Sequence, residues 1–283
     1  MEETSVVQPK FGISQNVPIE DYHFKWPGVS KSSATYALKS ALEFWENCVN
    51  PTREHDDPSG DMTTGILFHE RREDPAKYAA RVVRGPQVAT RASRDWKLFV
   101  ADHPDKVVLS PSEYDRIEAM SAAVDRHLGA QSILEEAADN EVTAYVKDPV
   151  TGLSLKSRPD RLTKSGVVID YKTTDSVDPR RFEARAFDHF YQVSVAMTFR
   201  VFSLLEKPVR AYYLIAVERN RPHDVVVYNA TQAVLVAGME QLDKALQRIK
   251  RGFESKHWPG VSDEVLDLDL PPWAKRQILG VPT

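Results

Sequence analysis

The sequence predicts an α/β protein built as one large domain with short extensions. Helical patterns dominate the first half of the chain, and at Glu141 the apolar period changes to that of strands. After these strands the pattern continues as a helix, two strands and a last helix, which is typical of a sheet packed against helices. The 283 residues suit a single large core, and 42% hydrophobic with 28% charged residues excludes a disordered or fibrous chain.

The first 138 residues predict an arm followed by a helical region. Residues 1–29 contain scattered prolines without periodicity, which indicates an arm lying on the body of the protein. Residues 30–138 form the helical part of a domain that we place at 30–257. Its predicted helices run from Ser32 or Ser33 to about Asn47, from Gly65 to Glu73, from about Val88 to Ala101, and onward from Ser110-Pro111-Ser112-Glu113, a capping box.

Residues 139–257 predict the sheet and its covering helices. The runs EVTAYVKD, LSLKSRPDRL and VVIDYKT alternate and are separated by turns, so we expect a three-stranded meander. A helix from about Asp188 to Leu205 follows, then two β-rich runs, VRAYYLIAVE and DVVVYNA. Thr231 opens a final long helix with an apolar stripe, and residues 258–283 predict a tail with a short helix or arm.

Composition narrows the function classes. The single cysteine, Cys48, argues against an internal disulfide framework, a cysteine-based zinc finger and an iron–sulfur cluster, and fits a reducing cytosol. No apolar run approaches the roughly 20 residues of a membrane helix, and the first residues lack a secretory core, so we expect a soluble cytoplasmic protein. A net charge of −4 argues against a protein that merely coats nucleic acid.

One segment departs from this overall charge. From Arg71 to Lys97 the sequence has eight basic residues and three acidic ones. Such a run is usually a solvated charged face, and the alternative is contact with phosphate groups. Charge alone leaves both interpretations open.

Polar residues at the ends of the predicted strands suggest a site. Asp170 and Lys172 share one face of an otherwise apolar strand, and Arg158 and Asp160 share a face of the preceding one, with Pro159 marking an edge or kink. On the first strand we place Glu141 on the polar face with Thr143, Tyr145 and Lys147. Clustered carboxylates suit Mg²⁺ or Mn²⁺, and the alternative is a surface salt bridge between Asp170 and Lys172.

The order of these motifs matches a known superfamily. Arg158-Pro159-Asp160 precedes Asp170-Tyr171-Lys172 by ten residues, and Gln192 follows on the next helix. Together with Gly65-Ile66-Leu67-Phe68-His69 and Glu141, this pattern resembles the PD-(D/E)XK nuclease superfamily, whose core is a mixed central sheet flanked by helices. Within it, the chain looks most like the exodeoxyribonuclease VIII (RecE-type) branch, which is related more distantly to lambda exonuclease and the RecB nuclease domain.

The resemblance implies specific roles. Asp160, Asp170, His69 and the carbonyl of Tyr171 would bind the metal, and Lys172 would hold the attacking water or the scissile phosphate. Glu141 would complete the acidic cluster directly or through water, and Gln192 would steady Lys172 or a phosphate. Many relatives have tyrosine four positions after this glutamine, where this chain has Ala196, with Tyr191 before the glutamine instead.

The resemblance also implies an activity. It predicts an exonuclease that uses Mg²⁺, with Mn²⁺ able to substitute, and that degrades duplex DNA from an end, 5′→3′, leaving a 3′ single strand. A ring-like trimer or tetramer, a single-strand annealing protein as recombination partner and a phage or prophage origin in a bacterial host belong to the same expectation. The DNA contacts expected from the basic residues are Arg84, Arg91, Arg94, Lys97 and Arg158. The alternatives are a structure-selective or site-specific endonuclease on the same core and an inactive relative that binds DNA ends or docks the annealing protein.

Overall fold

The computed structural model describes residues 9–53 and 60–279. The first eight residues of the predicted arm and the last four of the predicted tail lie outside this range. In chain order the strands are β1 (Gly12–Ser14), β2 (Val82–Arg84), β3 (Val107–Leu109), β4 (Ala138–Asn140), β5 (Thr143–Lys147), β6 (Ser154–Ser157), β7 (Arg161–Thr163), β8 (Val167–Thr174), β9 (Ala211–Glu218) and β10 (Val225–Asn229).

The helices lie between and around these strands. In chain order the α-helices are α1 (Lys31–Lys39), α2 (Ala41–Phe44), α3 (Gly60–Glu73), α4 (Pro75–Arg81), α5 (Arg94–Asp102), α6 (Pro111–Arg126), α7 (Leu128–Leu134), α8 (Pro179–Asp188), α9 (Tyr191–Leu204), α10 (Gln232–Ser255) and α11 (Pro272–Ala274). Short π-helical turns cover Asp21–Lys25, Trp45–Val49 and Lys275–Leu279. Within the described ranges, no helix combines the length and the apolar character needed to cross a membrane.

The central sheet is mixed and buried on both faces. Its strand order is β10-β9-β8-β7-β4, with β8 parallel to β9 and the other neighbours antiparallel. Val168 packs into a core formed with α9 and α10, whereas Ile169 and Tyr171 pack on the opposite face against Phe68 and Met120 of α3 and α6. The sheet is therefore sandwiched between two helical layers, and the predicted α/β fold with a mixed central sheet is confirmed.

The predicted three-stranded meander is wrong. The second predicted strand is two strands in different sheets, because β6 pairs with β5 in a small β1-β5-β6 sheet and β7 pairs with β8 in the central sheet. Pro159 lies between them, and its missing N–H cannot continue a ladder. The chain therefore changes sheets at residues 158–160, which places Asp160 at the junction.

The predicted arm contributes to the small sheet. Strand β1 pairs with β5, and the aromatic ring of Phe11 stacks on Tyr145 with centroids 5.1 Å apart. Thr143 and Tyr145 are consequently buried, so the polar face expected on the first strand is wrong at these two positions. The alternation of polar and apolar residues does not show which distant segment will cover a strand.

Helix starts agree with the sequence where a cap is explicit. The Ser110 capping box and the Thr231 start of α10 are confirmed. The two predicted β-rich runs are strands β9 and β10, which pair antiparallel. The first predicted helix is interrupted at Ser40, whose side chain accepts a hydrogen bond from the Glu43 N–H at 2.9 Å and starts α2. The helix predicted from Val88 begins only at α5, after the cap Ser93. The helix predicted from Asp188 to Leu205 is α9, which begins three residues later, and α8 before it was not predicted.

Candidate functional site

Strand β8 brings three predicted site residues together. Asp170 and Lys172 share one face because side chains alternate along a strand. The Asp170 carboxylate accepts hydrogen bonds from the Lys172 ammonium and from the Tyr212 hydroxyl, the latter at 2.9 Å. Lys172 Nζ also donates to the Tyr171 carbonyl oxygen at 3.1 Å. The predicted acid, carbonyl and lysine therefore meet at one point of the sheet.

Asp160 reaches the same point from the turn between β6 and β7. Its Oδ2 accepts a hydrogen bond from the Tyr171 N–H at 2.7 Å, which fixes the carboxylate beside β8. Burial would raise the pKa of Asp160, but the charges of His69 and Lys172 outweigh it and hold this pKa below its ordinary value. Burial raises the pKa of Asp170 to about 6, with Asp160 adding to the shift and Lys172 opposing it. Two adjacent buried carboxylates thus repel each other.

Helix α3 supplies an imidazole and a further carboxylate. His69 and Glu73 are four residues apart and share a helix face. His69 Nδ1 lies 3.1 Å from Asp160 Oδ2 and 3.5 Å from Glu73 Oε1. Burial lowers the pKa of His69, but Asp160 and Glu73 outweigh it and raise this pKa to about 10. Sequence reasoning proposed His69 and missed Glu73, although the spacing of four on a predicted helix was a usable signal.

This donor set fits a divalent cation. One ligand atom from each of His69, Glu73 and Asp160 lies within 4.8 Å of the other two. Within the described part of the chain, Glu73 Oε1 is buried and has no hydrogen-bond partner, and burial together with the Asp160 charge raises the pKa of Glu73 to about 8. A cation would remove the cost of this unsatisfied oxygen. Asp170 and Tyr171 lie next to Asp160, and their part in binding a metal stays a prediction.

Glu141 lies beside the cluster but is held by another residue. It precedes β5 with a left-handed φ of 49°, and its N–H donates to the Asp160 carbonyl oxygen at 2.9 Å. Its Oε2 accepts a hydrogen bond from Arg158 Nη2 at 2.8 Å. Contact between Glu141 and a metal, directly or through water, stays a prediction.

Tyr191, and not the predicted Gln192, lies beside Lys172. Gln192 is buried, and its Nε2 donates to Gln241 on α10 at 2.9 Å and to the Phe187 carbonyl at 3.4 Å. The expected support of Lys172 is absent from these hydrogen bonds, because the side chain is directed to the α9–α10 contact. The Tyr191 ring lies next to the lysine instead, with Lys172 Nζ 5.3 Å from its centroid.

A cleft of about 170 Å³ opens on the carboxylates. Its charged lining consists of Lys31, Lys156, Arg158, Lys172, Asp160 and Asp170. Arg158, predicted as a DNA contact, is largely buried: its guanidinium donates to the Val17 carbonyl at 2.7 Å as well as to Glu141. Lys156 is buried too and donates to the carbonyls of Tyr22 and Trp26. These two cations therefore fasten the N-terminal segment to β6 and its turn.

Four of the eight basic residues of this segment pair with acids of α6. Arg84 makes two hydrogen bonds to Asp115, at 2.8 and 2.9 Å, and Arg91 pairs with Glu113 while lying over the Trp96 ring. Two further arginines of the segment also pair with acids of α6, namely Arg71 with Glu118 and Arg72 with Asp125. Arg94 and Lys97 are exposed, and the ion pairs found among the described residues do not include them. Of the four predicted surface contacts, only these two present an unpaired charge.

Comparison with known proteins places this geometry in a family. A family model described as "PDDEXK-like domain of unknown function (DUF3799)" matches residues 37–268. The chain belongs to this family. The membership confirms the PD-(D/E)XK resemblance, whereas the RecE-type branch stays a prediction.

Two solved structures resemble this chain to very different degrees. The crystal structure of a "Putative exonuclease" from Eubacterium rectale matches with a TM-score of 0.62 at 12% identity, over 95% of this chain and 100% of that one. At this identity the likeness shows the fold alone. The crystal structure of SSO0001 matches with a TM-score of 0.28 at 18% identity, over 69% of this chain and 92% of that one. Among the curated proteins, none matches this sequence significantly.

Proposed function

We propose that this protein is a metal-dependent nuclease that hydrolyses phosphodiester bonds in DNA. The observation that carries the proposal is the meeting of Asp160, Asp170 and Lys172 at one point of β8. A carboxylate pair for a cation, next to an ammonium group and open to a cleft, is suited to a phosphate group and a water molecule.

The carboxylates and the imidazole would hold the metal. Asp160 and Asp170 would act with His69, Glu73 and the Tyr171 carbonyl as its ligands. When bound, Mg²⁺, for which Mn²⁺ could substitute, supplies positive charge that polarises the scissile phosphate and the attacking water. The role of Glu73 follows from its position one helical turn after His69.

Lys172 would act as a donor and a positive charge. Burial lowers its pKa, but Asp170 and Asp160 outweigh burial and raise the pKa to about 12. The ammonium therefore stays protonated at neutral pH and is unsuited to be a general base. Its place in the reaction is to donate a hydrogen bond to a phosphate oxygen or to the attacking water.

Among nucleases, we favour an exonuclease that acts from the end of linear duplex DNA. The exonuclease description of the Eubacterium rectale protein supports this choice, as does the resemblance to the RecE-type branch. Digestion 5′→3′ leaving a 3′ single strand, a ring-like homo-oligomer and a single-strand annealing partner belong to the same proposal. The second candidate is an endonuclease on the same core.

End-labelled substrates test the proposal. Purified protein with Mg²⁺, and separately with Mn²⁺, is given linear duplexes labelled at one 5′ end or one 3′ end, beside a covalently closed circle. We expect progressive digestion of the linear duplex, an intact circle and no digestion by Asp170→Asn. If circles are cut as fast as linear duplexes, the endonuclease alternative holds. If DNA is bound but never cut with either cation, the protein is an inactive end-binding relative.

A further inference from the structure

The junction between α8 and α9 forms an exposed aromatic surface beside Lys172. We call Phe187, His189 and Tyr191 the aromatic ledge. Phe187 is 59% exposed, and His189 is exposed as well. The His189 and Tyr191 rings are stacked, with centroids 6.0 Å apart and planes inclined by 24°. Since the Tyr191 ring also lies 5.3 Å from Lys172 Nζ, the ledge begins at the candidate site.

A second cation contacts the backbone of the ledge. Lys31, at the start of α1, donates from Nζ to the His189 carbonyl oxygen at 2.9 Å. Among the ion pairs of the described residues, none involves Lys31, although the residue lines the cleft. Burial and then the charge of Lys172 lower the pKa of Lys31 to about 8, and the charge of Asp170 in the same cleft only partly opposes them. An anion between the two ammonium groups would relieve their repulsion.

The backbone holds the ledge in an unfavourable conformation. Phe190 lies in the left-handed region with φ 57° and ψ 39°, and α9 begins there without a side-chain cap. A bulky residue is uncommon in this region, which favours glycine. The side chains before and after this bend are His189 and Tyr191. Burial lowers the pKa of His189, and the Arg185 and Lys31 charges add to this, so its imidazole is neutral at neutral pH and can stack as an uncharged ring.

We propose that the aromatic ledge binds an unpaired nucleobase of the nucleotide next to the scissile phosphate, while Lys31 contacts a neighbouring backbone phosphate. The proposal rests on the proposed nuclease function and names how that site holds its strand. Stacking on an aromatic face works for every base and requires a base that has left the duplex. The preferred ligand is therefore a single strand or a frayed end, bound without regard to sequence.

Binding in the absence of metal separates this proposal from catalysis. Fluorescence anisotropy in EDTA compares a labelled oligothymidylate with a strand of the same length made of abasic nucleotides. We expect the wild-type protein to bind oligothymidylate about tenfold more tightly than the abasic strand. His189→Ala should reduce this preference to about twofold, and Tyr191→Phe, which keeps the ring, should retain it. His257→Ala, at an exposed histidine after α10, is the matched control and should leave it unchanged.

Lys31→Met should act differently from the ring variants. It removes one phosphate contact, so both strands should bind more weakly to the same degree, and the salt slope should fall by about 0.7. A wild-type protein that binds both strands equally, or a His189→Ala variant that keeps the full preference, overturns the proposal. Wild-type protein that shows the preference and yet cuts no DNA with Mg²⁺ or Mn²⁺ leaves the ledge standing and overturns the nuclease proposal instead.

Discussion

Two groups of positive charge in this protein differ in what neutralises them. Arg84 and Arg91 belong to a basic stretch that is conspicuous in the sequence, yet acids of α6 pair with both. Lys31 and Lys172 are isolated in the sequence and share a cleft with Asp160 and Asp170. Lys172 pairs with Asp170, whereas Lys31 is in none of the ion pairs found among the described residues and leaves its charge available to a phosphate. A run of like charges in the sequence therefore does not show where the surface of the folded protein is positively charged, because the acids that neutralise it come from other elements.

The largest effect should come from the cleft carboxylates. Asp170→Asn should lower cleavage of linear DNA by at least about a hundredfold, since even groups that only support a metal ligand contribute 10- to 100-fold. Stability in metal-free buffer should be unchanged or slightly raised. Because the pKa of Asp170 is raised to about 6, the folded state loses stability as the pH rises from the ordinary pKa of an aspartate to about 6, and the loss is complete above that value. Asparagine has no charge to bury and avoids this loss.

Steady-state cleavage with Mg²⁺ and thermal melting in EDTA measure the two effects separately. A variant that melts well below the wild type while its folded fraction retains full specific activity would assign Asp170 to folding and contradict the metal role.

Two arginines that sequence reasoning assigned to DNA should differ in stability. Arg158→Met removes a buried guanidinium that serves the Val17 carbonyl and Thr143, and we expect a loss of about 2 kcal/mol in the free energy of unfolding. Arg84→Met breaks a solvent-exposed ion pair and should leave the free energy of unfolding nearly unchanged. Urea denaturation of both variants tests this difference. Equal losses would contradict the assignment of Arg158 to anchoring the N-terminal segment.

The sequence predicts the centre of the site better than its surroundings, for a physical reason. Asp160, Asp170 and Lys172 follow from strand periodicity and a short motif, and Pro159 indicates the break between β6 and β7. The contact of Tyr191 with Lys172 depends on the left-handed conformation of Phe190. The sequence has no glycine at this position to indicate such a conformation.

Tertiary pairing accounts for most of what was missed. The partners of Arg84 and Arg91 lie 31 and 22 positions away on a helix whose polar face the sequence cannot orient. The start of the small sheet within the predicted arm is another such contact, because β1 forms only against β5. The fold class can be predicted from the hydrophobic periodicity of single segments. These features depend on which segments become neighbours in the folded chain, and that information is not local.

Glu73 should have an intermediate effect, on metal affinity. Glu73→Gln removes one carboxylate of the His69 cluster and should weaken Mn²⁺ binding about tenfold, measured by calorimetry. The control is Glu70→Gln on the same helix, because Glu70 pairs with Arg81 instead of facing the cluster. His69→Ala should weaken Mn²⁺ binding at least as much as Glu73→Gln. Equal affinity in the Glu70 and Glu73 variants would remove Glu73 from the site.

The smallest effect should come from the paired half of the basic segment. Two double variants, Arg84→Gln with Arg91→Gln and Arg94→Gln with Lys97→Gln, each remove two positive charges from it. In the wild-type protein, Arg84 and Arg91 pair with Asp115 and Glu113. If either arginine moved to a phosphate, its carboxylate would be left unpaired and would repel the DNA. These two arginines therefore contribute little to DNA affinity, and removing them should change it little. The second pair has no such partners among the described residues, and each contact made with duplex DNA contributes about 0.9 to the salt slope.

We therefore expect DNA affinity to change less than about twofold for the variant at Arg84 and Arg91, while the salt slope falls by up to about 1.8 for the variant at Arg94 and Lys97. Titrations of a labelled duplex at several salt concentrations in EDTA decide between them: equal slopes in both variants would mean that α6 does not shield this segment, and that the arginines exchange their carboxylates for phosphates without penalty.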